Sequence, residues 1–381
     1  MFSDPLSLLA VLCLNVVVSE LLCRKTFFRH VGTALMVIVV TGIEVNLGVV
    51  PAYDDSVAVY SATFSHVVYF GIFWLLLGVQ LKDLLQAGGP MISLFVLGSL
   101  GTMVGVVIGM WAVDGLESIG PKFHALGGMF AATYTGGSAN FNMVAAEYEV
   151  HKEGALYVGT AAVDAILTTI WMVATIAIPR FLNGRFPGRR KLHSAETEDD
   201  ALGLVRDTES IHPLDLGLLL GLAAASLAGA QWIGAATGVP MALVLTTLAL
   251  VLAQVPAVAR LRGGRTLGMF AVYLFLAVIG ALCDLSALES LGSLAGTLWL
   301  FASVVVFVHG LIVFGGAALF RADWDMAAVA SQANVGGGTS AIALARSLGR
   351  SDLVLPAILV GSLGTALGTY LGFAVAGWLA V

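Results

Sequence analysis

The sequence predicts an all-α polytopic membrane protein, two inverted-topology repeats of about five transmembrane helices plus one re-entrant or broken helical segment each. Three observations predict it. Of 381 residues, 59% are apolar and 11% charged, and the apolar ones fall in blocks of about 18 to 28 residues, the length a helix needs to cross a bilayer. A membrane β-barrel would instead alternate polarity over strands of roughly ten residues. A single long polar segment, 183–213, divides the blocks six and six. The charges of the loops alternate in sign along the first half and reverse in the second, which carries orientation in membrane proteins where the net charge of −6 does not.

The blocks run over 6–23, 31–50, 62–81, 91–113, 125–146 and 155–182, then 214–233, 239–257, 267–285, 292–319, 326–345 and 353–380. No positively charged region precedes the first block and no small-residue cleavage site follows it, so it reads as a retained helix. "CRKTFFRH" (23–30) is basic, whereas "PAYDDSVAVY" (51–60) and "VDGLESIG" (113–120) are acidic. This alternation predicts an outside N-terminus and, with Arg180, Arg185, Arg189, Arg190 and Lys191 opening the linker, an inside segment 183–213. An inside linker requires an odd number of crossings before it, and six blocks precede it. Block 125–146 is therefore expected not to cross, because it holds a polar glycine motif and is followed by the acidic "EYEVHKEG" (147–154).

In the second half "ARLRGGRT" (259–266) is basic and "CDLSALES" (283–290) acidic, and Arg321, Arg346 and Arg350 flank block 326–345. If that block also returns to its own face, all three arginines lie inside. A shift of 200 residues superimposes Gly136 and Gly137 on Gly336 and Gly337, and a shift of 201 superimposes "LKDL" (81–84) on "LCDL" (282–285). The repeats are expected at 1–182 and 214–381, with core motifs at 125–182 and 326–381 and panel helices drawn from the rest.

The two motifs, "TYTGGSANFNMVAA" (133–146) and "SQANVGGGTSAIA" (331–343), carry the chemistry. Irregular backbone inside a bilayer survives only where protein or a water-filled cavity shields it. Adjacent glycines permit positive φ, and short polar side chains cap the freed groups or hold a ligand. A half-helix starting at such a break directs its positive end into the cavity, which suits an anion. Thr133, Thr135, Gly136, Gly137, Ser138, Asn140 and Asn142, with Asn334, Gly336, Gly337, Gly338, Thr339 and Ser340, are the expected solute-binding residues. By contrast, Gly101, Gly105 and Gly109, and Gly364, Gly368 and Gly372, have the four-residue spacing of helix packing faces.

Asp164 lies ten residues into block 155–182. A carboxylate within a span is costly and marks a functional candidate. With Thr160, Thr168 and the neighbouring Thr169 it is expected to bind Na⁺ or to carry H⁺ as the coupling ion. Glu20, Glu44, Asn15, Asn46, Gln80 and His309 are secondary candidates, and His309 reads either as a proton relay or as a satisfied core histidine. Cys13, Cys23 and Cys283 show neither CxxC pairing nor ligand-spaced histidines, so no disulfide or zinc site is expected. HExxH, GxSG, paired-aspartate and P-loop patterns are absent, which argues against an enzyme, and no basic block suggests nucleic acid. No cofactor is expected beyond the coupling ion.

"ATYTGGSANFNMVA", "TAAVDAI", "SQANVGGGTSAIALARSLG" and "AILVGSLGTALGTYLG" (357–372) together resemble the YjcL-like family of uncharacterised bacterial integral membrane proteins, over nearly the whole chain. One departure is "GGGTS" (336–340), where that family is expected to show Gly-Gly-Pro. The resemblance implies kinship with sodium-coupled carboxylate, glutamate and bile-acid symporters and with cation–proton antiporters. It thereby implies a core domain moving against a panel domain that makes homodimer contacts. The function expected is ion-coupled transport of a small, anionic organic solute. A cation–proton antiporter without organic substrate and a non-transporting receptor or scaffold are the alternatives.

Overall fold

A computed structural model of the chain describes residues 4–25, 33–54, 56–186, 211–282 and 291–381. Among them no strand occurs, and every apolar block becomes a helix or a pair of helices. The first half comprises α1 (Pro5–Lys25), α2 (Thr33–Asn46), α3 (Ala58–Leu76, with a π turn at Thr63–Val67), α4 (Gly89–Ala112), the pair α5 (Phe123–Gly136) and α6 (Ser138–Glu147), and α7 (Gly154–Arg185). The second half repeats the order: α8 (Pro213–Thr237), α9 (Met241–Ala253), α10 (Gly264–Gly280), α11 (Leu291–Leu319), the pair α12 (Trp324–Val335) and α13 (Gly337–Ser347), and α14 (Val354–Leu379). Among the described residues seven helices are long and apolar enough to cross a membrane, and α2, α9 and α10 are shorter apolar helices. The chain is an all-α polytopic membrane protein. Leu6, Trp111, Val173, Trp232 and Phe307 stand exposed on helix surfaces, where acyl chains rather than water cover them.

The helices sort into two groups by contact. α1, α2 and α3 pack with α8, α9 and α10; α4 to α7 pack with α11 to α14. Contacts recur when halves are exchanged: α1 meets α2 as α8 meets α9, and α2 meets α10 as α9 meets α3. α4 and α11 pack on each other and on the motif helices. The cause is the glycine ladder of α4. A Cβ at Gly105 would lie 2.8 Å from Val305 O, and one at Gly109 2.8 Å from the Phe301 ring, so only a side-chain-free face admits α11 this closely.

Cys13 and Cys23 are free thiols, while Cys283 lies outside the described residues. So do the basic stretch 26–30, most of the linker (187–210, with Arg189, Arg190 and Lys191) and the acidic 283–290. The weaker polar candidates are locally satisfied: Asn15 donates to Thr41 and Glu44, Glu20 accepts from Arg24 and Thr33, Asn46 donates to Gly42 O, and Gln80 donates to Ala253 O.

Candidate functional site

Two helical hairpins build the site. Between α5 and α6 the chain turns at Gly137, with φ 84° and ψ −179°, a conformation essentially reserved for glycine. A Cβ at Gly372 of α14 would meet Ala132 Cβ at 2.8 Å and Val144 Cγ2 at 2.9 Å. Those two residues are twelve apart in sequence and would stand about 18 Å apart on a straight helix, so α6 folds back beside α5. Lys122 Nζ donates to Tyr148 O across the base of this hairpin.

The second hairpin turns at Gly337, φ 76°. Its base is closed by Arg350, which follows α13 and donates to Asp323 Oδ2 at 2.7 Å and Asp325 Oδ2 at 3.1 Å at the start of α12, and to Asp352 at 2.7 Å. Sequence reading took Arg350 as a loop charge reporting sidedness, yet its side chain is only 7% exposed. Three carboxylates compensate its burial, and Asp352 and Asp323 raise the guanidinium pKa further. Each motif segment is therefore a hairpin whose two ends lie together at one base.

Both hairpins lie along α14. Gly361 packs on Gly338 of the second tip, Gly364 on Thr135 O and Gly136 of the first, and Gly368 on Ala132 O and Asn140. The contacts to the two tips thus lie three positions apart on one helix. On the opposite side α7 reaches both hairpins: Tyr157 Oη donates to Asn142 Oδ1 at 2.5 Å, whereas Trp171 Nε1 donates to Ser331 Oγ at 3.0 Å and Thr175 Oγ1 to Gln332 Oε1 at 3.2 Å.

Between the tips and α7 opens a cavity of about 280 Å³. The first hairpin contributes Thr133, Gly137, Ser138 and Asn142, the second Val335 and Gly336, and α7 Asp164, Thr168 and Thr169. Its far wall is apolar, with Ala34, Leu35 and Ile38 of α2 and Leu276 of α10, so the cavity sits where the two helix groups meet. Neither half-helix starting at a tip is capped by a side chain. Several buried polar atoms lack partners: Asp164 Oδ1, Asn142 Nδ2, Thr135 Oγ1, Asn140 Nδ2 and Tyr134 Oη. Tyr134 approaches Asp164 without completing a hydrogen bond of normal geometry. Buried polar groups are ordinarily satisfied, and two of these atoms, Asp164 Oδ1 and Asn142 Nδ2, belong to residues that line the cavity.

Other expected residues turn elsewhere. Thr160 donates to Leu156 O within its own helix. Asn140 Oδ1 accepts from Thr369 at 2.7 Å, Asn334 Nδ2 donates to Phe95 O while its Oδ1 accepts from Ser99, and Ser340 donates to Gly337 O. Thr135, Gly136, Gly337, Gly338 and Thr339 do not line the cavity. His309 is satisfied: Nδ1 lies 2.9 Å from Gly98 O and Nε2 2.9 Å from Ser331 Oγ, which also accepts from Trp171. Both ring nitrogens thus have partners, as a core histidine does. Tyr134, Tyr157, Ser331 and Gln332 are participants that sequence reading left out, although three of them lie in or beside the quoted motifs.

A sequence profile described as "Protein of unknown function (DUF819)" matches residues 7–381. The uncharacterized membrane protein YjcL of Bacillus subtilis (strain 168) is 27% identical over 374 residues, covering 93% of this chain and 91% of that protein. With the match spanning both hairpins and the cavity between them, the chain belongs to the DUF819 family.

Proposed function

We propose that this protein is an ion-coupled secondary active transporter of a small, anionic organic solute, with no enzymatic activity. One observation carries the reading. Two glycine-turned hairpins, one from each half, bring their tips to a single cavity that also holds an intramembrane aspartate. Convergent half-helix ends at such a position recur in carriers built from inverted repeats. The N-terminal end of α6, whose Gly137 and Ser138 line the cavity, provides partial positive charge for the anion, and Asp164 with Thr168 and Thr169 provides hard oxygens for Na⁺ or a site for H⁺. The contact pattern that recurs between halves supports two inverted repeats. The cavity's position between helix groups supports motion of α4–α7 and α11–α14 as one body against α1–α3 and α8–α10, the latter providing the dimer contact.

A cation–proton antiporter is the second reading, favoured by Asp164 being the sole charged side chain among the cavity's lining residues. Purified protein in liposomes distinguishes them. Accumulation of an organic anion driven by an inward Na⁺ or proton gradient is expected, with Asp164→Asn abolishing the gradient dependence. Cation–proton exchange without organic solute would favour the antiporter, and unchanged behaviour of Asp164→Asn would refute the coupling role.

A further inference from the structure

We infer that the solute is a monocarboxylate with an apolar body, excluding dicarboxylates and amino acids; the inference rests on the transporter reading and narrows its substrate class. Charge is counted first. The cavity's lining residues include no Lys, Arg or His, and Asp164 is their one carboxylate. Once the coupling cation neutralises Asp164, the remaining positive potential on the lining is that of the α6 N-terminus, where Gly137 and Ser138 face the cavity, equivalent to about half an elementary charge. α6 has 10 residues and no side-chain cap. It favours one negative charge and offers nothing for a second.

The donor set agrees. Asn142 is 1% exposed and lines the cavity, with Nδ2 lacking any partner while Oδ1 is held by Tyr157. That fixed orientation leaves an amide N–H for one carboxylate oxygen beside the first tip, with Ser138 adding a hydroxyl. The opposite wall, Ala34, Leu35, Ile38 and Leu276, offers no polar side chain. A second carboxylate would have to face that wall or Asp164, uncompensated in either case, and each unpaired buried charge is strongly disfavoured. An α-ammonium would compete with the coupling cation for Asp164. An apolar body against α2 and α10 meets neither obstacle.

The test uses proteoliposomes with inward Na⁺ and proton gradients and four probes: 4-methyl-2-oxopentanoate, L-leucine of the same carbon skeleton, succinate, and the uncharged amide of the first. Uptake of 4-methyl-2-oxopentanoate is expected, with each of the others taken up about tenfold less or worse. Asn142→Asp keeps the acceptor for Tyr157 but converts the donor into a negative charge; it should lose uptake while retaining ion-induced thermal stabilisation. Gradient-driven uptake of succinate or L-leucine at a rate matching the oxo acid overturns the inference and leaves the transporter reading standing. Ion-induced stabilisation with no uptake of any probe overturns both. Unimpaired oxo-acid uptake by Asn142→Asp overturns the assignment of the carboxylate to the first tip.

Discussion

Replacing Gly137 by alanine tests whether the first hairpin turns where the structure has it. A Cβ there would find no atom within 4 Å, so no collision contributes. The backbone is the whole cost: φ 84° with ψ −179° is strained for any L residue, by about 1–3 kcal/mol. At 1.4 kcal/mol per factor of ten, that depletes the turned conformation by about five- to over one-hundredfold. Gly184, near the end of α7, has equally open surroundings and no positive φ. There alanine should stabilise by roughly 0.5–1 kcal/mol, because a helical glycine carries extra chain entropy. Thermal denaturation of both variants in one detergent, followed by intrinsic fluorescence, should therefore move in opposite directions, and Gly337→Ala, at φ 76°, should follow Gly137→Ala. If Gly137→Ala melted with Gly184→Ala and transported normally, the turn and the site built on it would be refuted.

Three further outcomes follow from the same geometry. Arg350→Met leaves Asp323, Asp325 and Asp352 facing one another without their cation, and should destabilise by about 3–5 kcal/mol, read by denaturation with Arg350→Lys as a partial rescue. Single cysteines at Pro121 and Glu149, on either side of the first hairpin, should both be modified by an impermeant maleimide from one face of sealed vesicles; labelling from opposite faces would mean that 123–147 crosses. His151 is buried between Phe64 and Phe275, with ring centroids at 4.4 and 6.2 Å, and burial lowers its pKa from 6.5. The unfolded chain then binds the extra proton, so its contribution to stability is full above pH 6.5 and is lost as pH falls below that value. Among charged groups nearby, Lys152 lowers its pKa further and Glu149 raises it. His151→Phe should flatten the melting temperature between pH 5 and 6.5; an unchanged slope would assign it to other groups.

The twelve blocks and a helix break at each glycine motif were legible in the sequence, because chain length against bilayer thickness and adjacent glycines among small polar residues are local signals; that each break is a hairpin turn was not. Asp164 was legible for the same reason, a charge where hydrocarbon forbids one. Which motif side chains face the cavity was not. Asn142 and Asn140 are two residues apart on one half-helix, yet one lines the cavity and the other bonds Thr369, 229 residues on. Facing is decided by where α14 and α7 pack, which a single sequence does not encode at neighbouring positions. The apolar wall escaped notice entirely, since Leu35, Ile38 and Leu276 look like any span residue. The closure of the second hairpin by Arg350 was hidden because the acidic partners stand 25 and 27 residues earlier.

α14 gives the two tips a common keel. Gly361 bears on one and Gly364 on the other, so a tilt or slide of that helix carries both in the same sense. The two tips would then travel as a unit. A bulky residue introduced at either glycine is felt at both ends of the cavity. Transport variants selected at α14 should accordingly change affinity on both faces of the membrane together, whereas variants of α7, which meets the hairpins through separate hydrogen bonds, are free to affect one side alone.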